Sequence, residues 1–151
     1  MCIIWLAGLQ GYCVGQAVEK LTQALANAAE ERGTDASGIA YVKDGKVTIY
    51  KRPKPAHKLR FNAPNNTRAV MGHTRMTTQG NEKFNYNNHP FYGHADVDFA
   101  FAHNGVLYND KELRMESTCR IRRSKRIHTL QCNCWNSRVS WISTHSKVWR
   151  S

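Results

Sequence analysis

Met1-Cys2-Ile3-Ile4-Trp5-Leu6 opens the chain with a cysteine directly behind the initiator methionine and a β-type apolar run behind the cysteine. Removal of Met1 would leave a thiol and a free α-amine on one carbon. That amine has a reference pKa of roughly 7.7 to 8 and can take the thiol proton, directly or through a water, so one residue serves as nucleophile and base. For an isolated Met-Cys start the commoner reading is a small buried hydrophobe ahead of a strand. The motifs farther along the chain decide between the two.

Behind the opening strand, Gly11 and Gly15 bracket a turn, and Val18, Leu21, Leu25 and Ala28 recur with polar residues between them. The spacing predicts an amphipathic helix that stops at Arg32-Gly33, with the glycine just past its end. Ser37 to Val42 and Val47 to Lys51 flank Lys43-Asp44-Gly45-Lys46, and Asp-Gly is the pair a tight primed turn requires, so a β-hairpin is expected. The Pro-, Lys- and Asn-rich stretch 51–66 reads as a surface excursion. Strands are expected at 68–74 and 97–103, a polar loop at 79–93, and a short helix capped by Asp110.

Length and composition narrow the class. The 151 residues make at most one domain, and no run of 18 apolar residues suggests a membrane span. With no secretory signal at the start, a cytoplasmic protein is the default and the five cysteines read as thiols. The formal charge of +11 is unevenly spread: residues 115–151 carry 8 Lys and Arg against 1 acid, so they hold +7 of it. Those residues also lack Gly, Pro, Ala, Asp, Phe and Tyr, yet include seven Ser, three Cys and three of the four Trp.

Three stretches stand out together: Arg32-Gly33-Thr34-Asp35-Ala36-Ser37-Gly38, Gly72-His73-Thr74-Arg75-Met76-Thr77-Thr78-Gln79-Gly80 and His103-Asn104-Gly105. In this order behind a cysteine at position 2, they resemble the class II glutamine amidotransferases, whose glutaminase domains are N-terminal nucleophile hydrolases. The resemblance covers residues 1 to about 114. It implies an α+β fold, an αββα sandwich of which this chain would hold only the N-terminal half. It also implies hydrolysis of L-glutamine to glutamate and ammonia through a thioester on Cys2, with no cofactor and no metal. Asn104 and the Gly105 backbone N–H would form the oxyanion hole. Arg75 would hold the substrate α-carboxylate, with Thr78 and His103 beside it. A guanidinium matches a carboxylate in a planar fork that lysine does not reproduce. Ile3 and Gln79 stand where the family usually has Gly and His, and the family's Thr-Asp-Ser-type motif beyond the Asn-Gly pair has no counterpart.

The tail composition points to a changed reading frame from about residue 115. Shifted by one register, the codons of Cys132-Asn133-Cys134-Trp135-Asn136 must spell Leu-Leu-Glu, and those around Arg126 and Ile127 can spell Thr-Asp-Thr at the family's expected distance. On this reading 115–151 is a disordered, Cys-, Trp- and Ser-rich extension, the glutaminase domain is cut short, and the chain is poorly stable and impaired. Other readings make the chain a non-catalytic relic of the family, or a nucleic-acid binder through the Arg, Lys and Trp of 120–150. A zinc site at Cys119, His128, Cys132, Cys134 and His145 has the wrong spacing for the usual structural sites. The ammonia acceptor and any synthase partner are unspecified, and neither membrane nor nucleic acid is the expected partner.

Overall fold

The computed structural model describes residues 3–8, 17–65, 67, 69–78, 80–94, 97–105, 139–143 and 148–150. Eight strands and one α-helix are found among them: β1 (Ile3–Gly8), α1 (Ala17–Ala29), β2 (Ala36–Lys43), β3 (Lys46–Arg52), β4 (Ala69–Arg75), β5 (Phe91–His94), β6 (Asp98–His103), β7 (Val139–Ser143) and β8 (Val148–Arg150). The fold class is α+β. Two four-stranded sheets have the orders β1-β4-β2-β3 and β5-β6-β7-β8, and every neighbouring pair is antiparallel.

Alternation along the strands separates two cores. On one face of the first sheet, Ile39, Tyr41, Tyr50 and Val70 meet Val18, Leu25, Ala26 and Ala29 of α1. On the other, Ala40, Met71, Val42, Val47 and Ile49 meet Ala100 and Ala102 of β6. The order of layers is therefore helix, sheet, sheet. Small side chains on β6 let the second sheet come close to the first. Thr74 Oγ1 donates to Ala29 O at 2.7 Å and ties the end of α1 to β4.

The predicted hairpin is present, with Val42 opposite Val47. Asp44 and Gly45 have φ of 49° and 71°, the two positive values that a type I′ turn needs. A Cβ on Gly45 would meet nothing within 4 Å, so G45A tests backbone conformation alone. It is expected to cost about 1 kcal/mol in urea unfolding with an unchanged m-value.

Several expectations are corrected. Gly33 does follow the helical turn, but its φ is 179°, an extended value open to any residue. Glycine is required there by proximity: a Cβ would lie 2.4 Å from the Arg75 carbonyl carbon and 2.7 Å from Met76 N. The excursion after β3 is not a surface loop throughout. Ala56, Leu59, Phe61 and Ala63 are buried and complete the core under α1, while Glu30 binds His57 through both its backbone N–H and Nδ1, at 2.8 and 2.6 Å. Within the expected polar loop, Phe91 begins a strand opposite Phe101.

The tail departs from the expected disorder at two places. Val139–Ser143 pairs with β6, and Val148–Arg150 pairs with β7. Val139, Trp141, Ile142, Val148 and Trp149 are β-branched or aromatic, and an open strand edge such as that of β6 is a template for such segments. The helix expected at Asp110 and the remaining tail, with its cysteines, lie outside the described residues.

Candidate functional site

Arg75 ends β4, the first two motif stretches meet at it, and His103 of the third lies beside His73. The register sets Ile3 opposite Thr74 and Ala36 opposite Arg75, so the start of β1 and the start of β2 both lie at this end of the sheet. Asp35 then makes two bonds to the segment after β4: its N–H donates to Arg75 O at 3.0 Å, and its Oδ2 accepts from Thr77 N at 2.6 Å. Gly33 packs on the Arg75 backbone, and Gly38 on the loop before β5, where a Cβ would lie 2.4 Å from His89 O. The first two stretches thus form one built unit. G33A would have to displace backbone rather than a flexible side chain. The variant is expected to lose about 2 to 3 kcal/mol of stability by thermal or urea unfolding.

The Arg75 residue is only 7% exposed, so its charge requires polar company. Its Nη1 donates to Asn87 O at 2.9 Å and to Asn88 Oδ1 at 2.6 Å, and Nη2 lies 3.5 Å from Gly80 O. All three acceptors are neutral. Lys51, facing the same loop from β3, donates to Asn88 O and to Pro90 O and stands 4.8 Å from the Phe91 ring centre.

Beside the arginine lies a group of histidines. The His73 and His89 rings are 4.3 Å apart, centre to centre, and their nitrogens are buried with no partner at bonding geometry among the described residues. Burial, then the positive charge of Arg75 and Lys51 and that of His103 when it is protonated, pushes His73 down to about 3, against an opposing pull from the His103 backbone. Burial and the same neighbours hold His89 well below its ordinary value. His103 is lowered by burial alone. These rings are therefore neutral at pH 7. The cationic Arg75 and Lys51 stand beside them.

The expected site residues are distributed as follows. Arg75 and His103 are buried and lie in one electrostatic neighbourhood. Asn104 is half-buried, while Gly105 and Thr78 are exposed. A Cβ on Gly105 would come within 2.8 Å of the His103 ring, so glycine lets that ring lie over the chain's turn away from β6. Cys2 lies outside the described residues. Sequence reasoning missed Asn87, Asn88 and Lys51, since two asparagines in a polar loop and one lysine in an excursion carry no pattern. Among the described residues no three His, Cys, Asp or Glu side chains gather as metal ligands, and no helix is long and apolar enough to cross a membrane. Of the other histidines, His94 pairs with Asp98 at 2.6 Å on the exposed edge of β5 and β6.

The α+β frame and a buried arginine at the meeting of two motif stretches characterise the site, and comparison with known proteins gives the relationship more narrowly. Part of the chain is similar to enzymes named glutamine–fructose-6-phosphate aminotransferase (isomerizing). It is 38% identical over 92 residues to that of Symbiobacterium thermophilum, covering 58% of this chain and 14% of the relative. The Chlamydia trachomatis enzyme is 35% identical over 91 residues, with the same coverages. That of Nostoc sp. is 33% identical over 117 residues, 74% of this chain and 18% of the relative. The chain thus holds a region related to these glutamine-using enzymes and spans less than a fifth of the length of each. No protein-family profile matches it.

Proposed function

We propose that residues 1 to about 114 carry glutaminase machinery of the class II, N-terminal nucleophile kind, which releases ammonia and glutamate from L-glutamine. The observation that carries this reading is the meeting of the first two motif stretches at Arg75, with His103 of the third beside His73, at the end of the sheet where Ile3, the residue after Cys2, pairs with Thr74. In this reading the Cys2 thiol, relieved of Met1, attacks the side-chain amide carbon while the α-amine takes the thiol proton. The tetrahedral oxyanion is held by Asn104 and the Gly105 N–H. Loss of one such donor typically costs about 2.7 to 4 kcal/mol in the barrier. Collapse expels ammonia, which receives the proton, and leaves a thioester. Water then cleaves the thioester to glutamate. Arg75 fixes the α-carboxylate, Thr78 and His103 flank it, and the neutral histidines add no negative charge beside it.

The similarity to glutamine–fructose-6-phosphate aminotransferases supports the substrate. We read the Cys-, Trp- and Ser-rich 115–151 as a frameshifted continuation, and the missing acid beyond Glu112, apart from Glu116, as the reason for impaired turnover. The test is to incubate the full chain with L-glutamine, measure glutamate and ammonia together, and take the intact mass. Equal amounts of both products from a protein lacking Met1 are expected. Processed protein that yields neither would overturn the reading. Nucleotide sequence across codons 105 to 151 tests the frameshift: a neighbouring frame that opens near codon 115 and runs on is expected, and its absence would defeat that part.

A further inference from the structure

We propose that Asn88 is the positioning residue that sets the orientation of the Arg75 guanidinium for a substrate α-carboxylate, an inference that rests on the glutaminase reading above. Asn88 is fully buried, 0% exposed, in the loop between β4 and β5. Each end of its amide has a partner: Oδ1 accepts from Arg75 Nη1 at 2.6 Å, and Nδ2 donates to Glu82 O at 2.7 Å. A guanidinium has only donors and a carbonyl only accepts, so the amide can turn in just one way. Its backbone is held too, through Asn88 N to Asn85 O at 3.2 Å and through Lys51 Nζ on Asn88 O. The result is an acceptor held at three points and pointed at one nitrogen of the arginine.

The chemistry of that acceptor matters. A buried carboxylate in its place would pair with Arg75, satisfy its charge and compete with the carboxylate of the substrate. A neutral amide fixes the plane of the fork without adding a negative charge beside it. Asn88 therefore orients the guanidinium without introducing a carboxylate that would compete for it. The same logic explains why Asn87 and Gly80 contribute backbone carbonyls, also neutral, to the guanidinium.

Steady-state glutamine hydrolysis by the full chain, with N88A, N88D, R75K and the double variant R75K/N88A, tests this. N88A is expected to raise KM about tenfold with kcat within about threefold, since a hydrogen bond to a charged group is removed while the nucleophile is untouched. N88D should raise KM at least as much even though it is isosteric. In the R75K background N88A should add nothing, because Asn88 acts through the guanidinium. An unchanged KM in N88A, or the same increment in both backgrounds, overturns the proposal. If the wild-type chain releases no glutamate, it is the glutaminase reading that fails. The clamp is then decided by 15N NMR of the Arg75 side chain: restricted guanidinium rotation that N88A releases supports it, and rotation already averaged in the wild type overturns it.

Discussion

Cys2→Ala is expected to reduce glutamine hydrolysis by the full chain by about 10³-fold or more, to background, with L-glutamine binding changed little. The size of the effect comes from the chemistry assigned to one residue. Amide cleavage needs a nucleophile at neutral pH, a base to take its proton and an acid to deliver one to the leaving nitrogen, and the thiol with its own α-amine supplies all three. Alanine retains the amine but has no sulfur, so no thioester forms and the reaction cannot be divided into two steps. Cys2→Ser keeps a nucleophilic atom whose proton is far less acidic than a thiol's, and an intermediate loss is expected. The measurement is ammonia release, beside a mass that shows the N-terminus of each variant, because retained Met1 would block the α-amine and mimic the alanine phenotype. Full activity in Cys2→Ala would place the nucleophile elsewhere and dismiss the mechanism.

Acidification is expected to destabilise the protein, and the buried histidine pair is the reason. A histidine whose folded-state value is depressed binds fewer protons folded than unfolded. Its stabilising contribution is whole above the unfolded value near 6.5 and is lost as the pH falls toward the folded value, about 3 for His73. Over that window the unfolded chain takes up a proton at His73 that the folded chain does not, and burial drives His89 in the same direction, so both draw stability down as the pH falls. Native domains hold a margin of only about 5 to 15 kcal/mol, so a loss that accumulates as the pH falls is expected to lower the denaturant midpoint measurably. The groups facing the pair, Arg75, Lys51 and His103, are cationic or become so, and deepen the effect. Denaturant unfolding at pH 7.5, 6.0 and 5.0 measures the slope. His89→Phe should flatten it by about half, since one titrating group is gone. A wild-type slope no steeper than that of the variant would show that the pair is not buried neutral in the folded protein.

Local patterns were legible because they describe neighbours in sequence. The 3.6-residue spacing of Val18 and Leu25 is a statement about one helix, and Asp44-Gly45 about one turn, so α1 and the β2–β3 hairpin stand where their residues put them. The strand ending at Arg75 and the one ending at His103 were likewise readable from short apolar runs closed by motif residues. Phe91–His94 was not, since four residues with a glycine show no period, and the strand exists because β6 offers it an antiparallel edge. The same holds for Val139–Ser143, whose β-branched and aromatic residues permit a strand but whose pairing depends on a partner far earlier in the chain.

By itself the amino-acid sequence determined the helix, the hairpin, the two motif-bearing strands and the chemical types available for a site: a thiol next to the start, a guanidinium, an Asn-Gly pair. Those come from covalent order and local backbone preference, which are properties of short segments. Tertiary structure alone decided that Gly33 is demanded by the backbone of Arg75 instead of by a left-handed turn, that Ala56 to Ala63 are core, and that Asn88 holds the arginine. Each of these is a contact between residues well separated in sequence, 13 positions apart for Arg75 and Asn88. The free energy that selects it comes from burial and from polar groups satisfying one another out of water, quantities defined only once the sheets have packed.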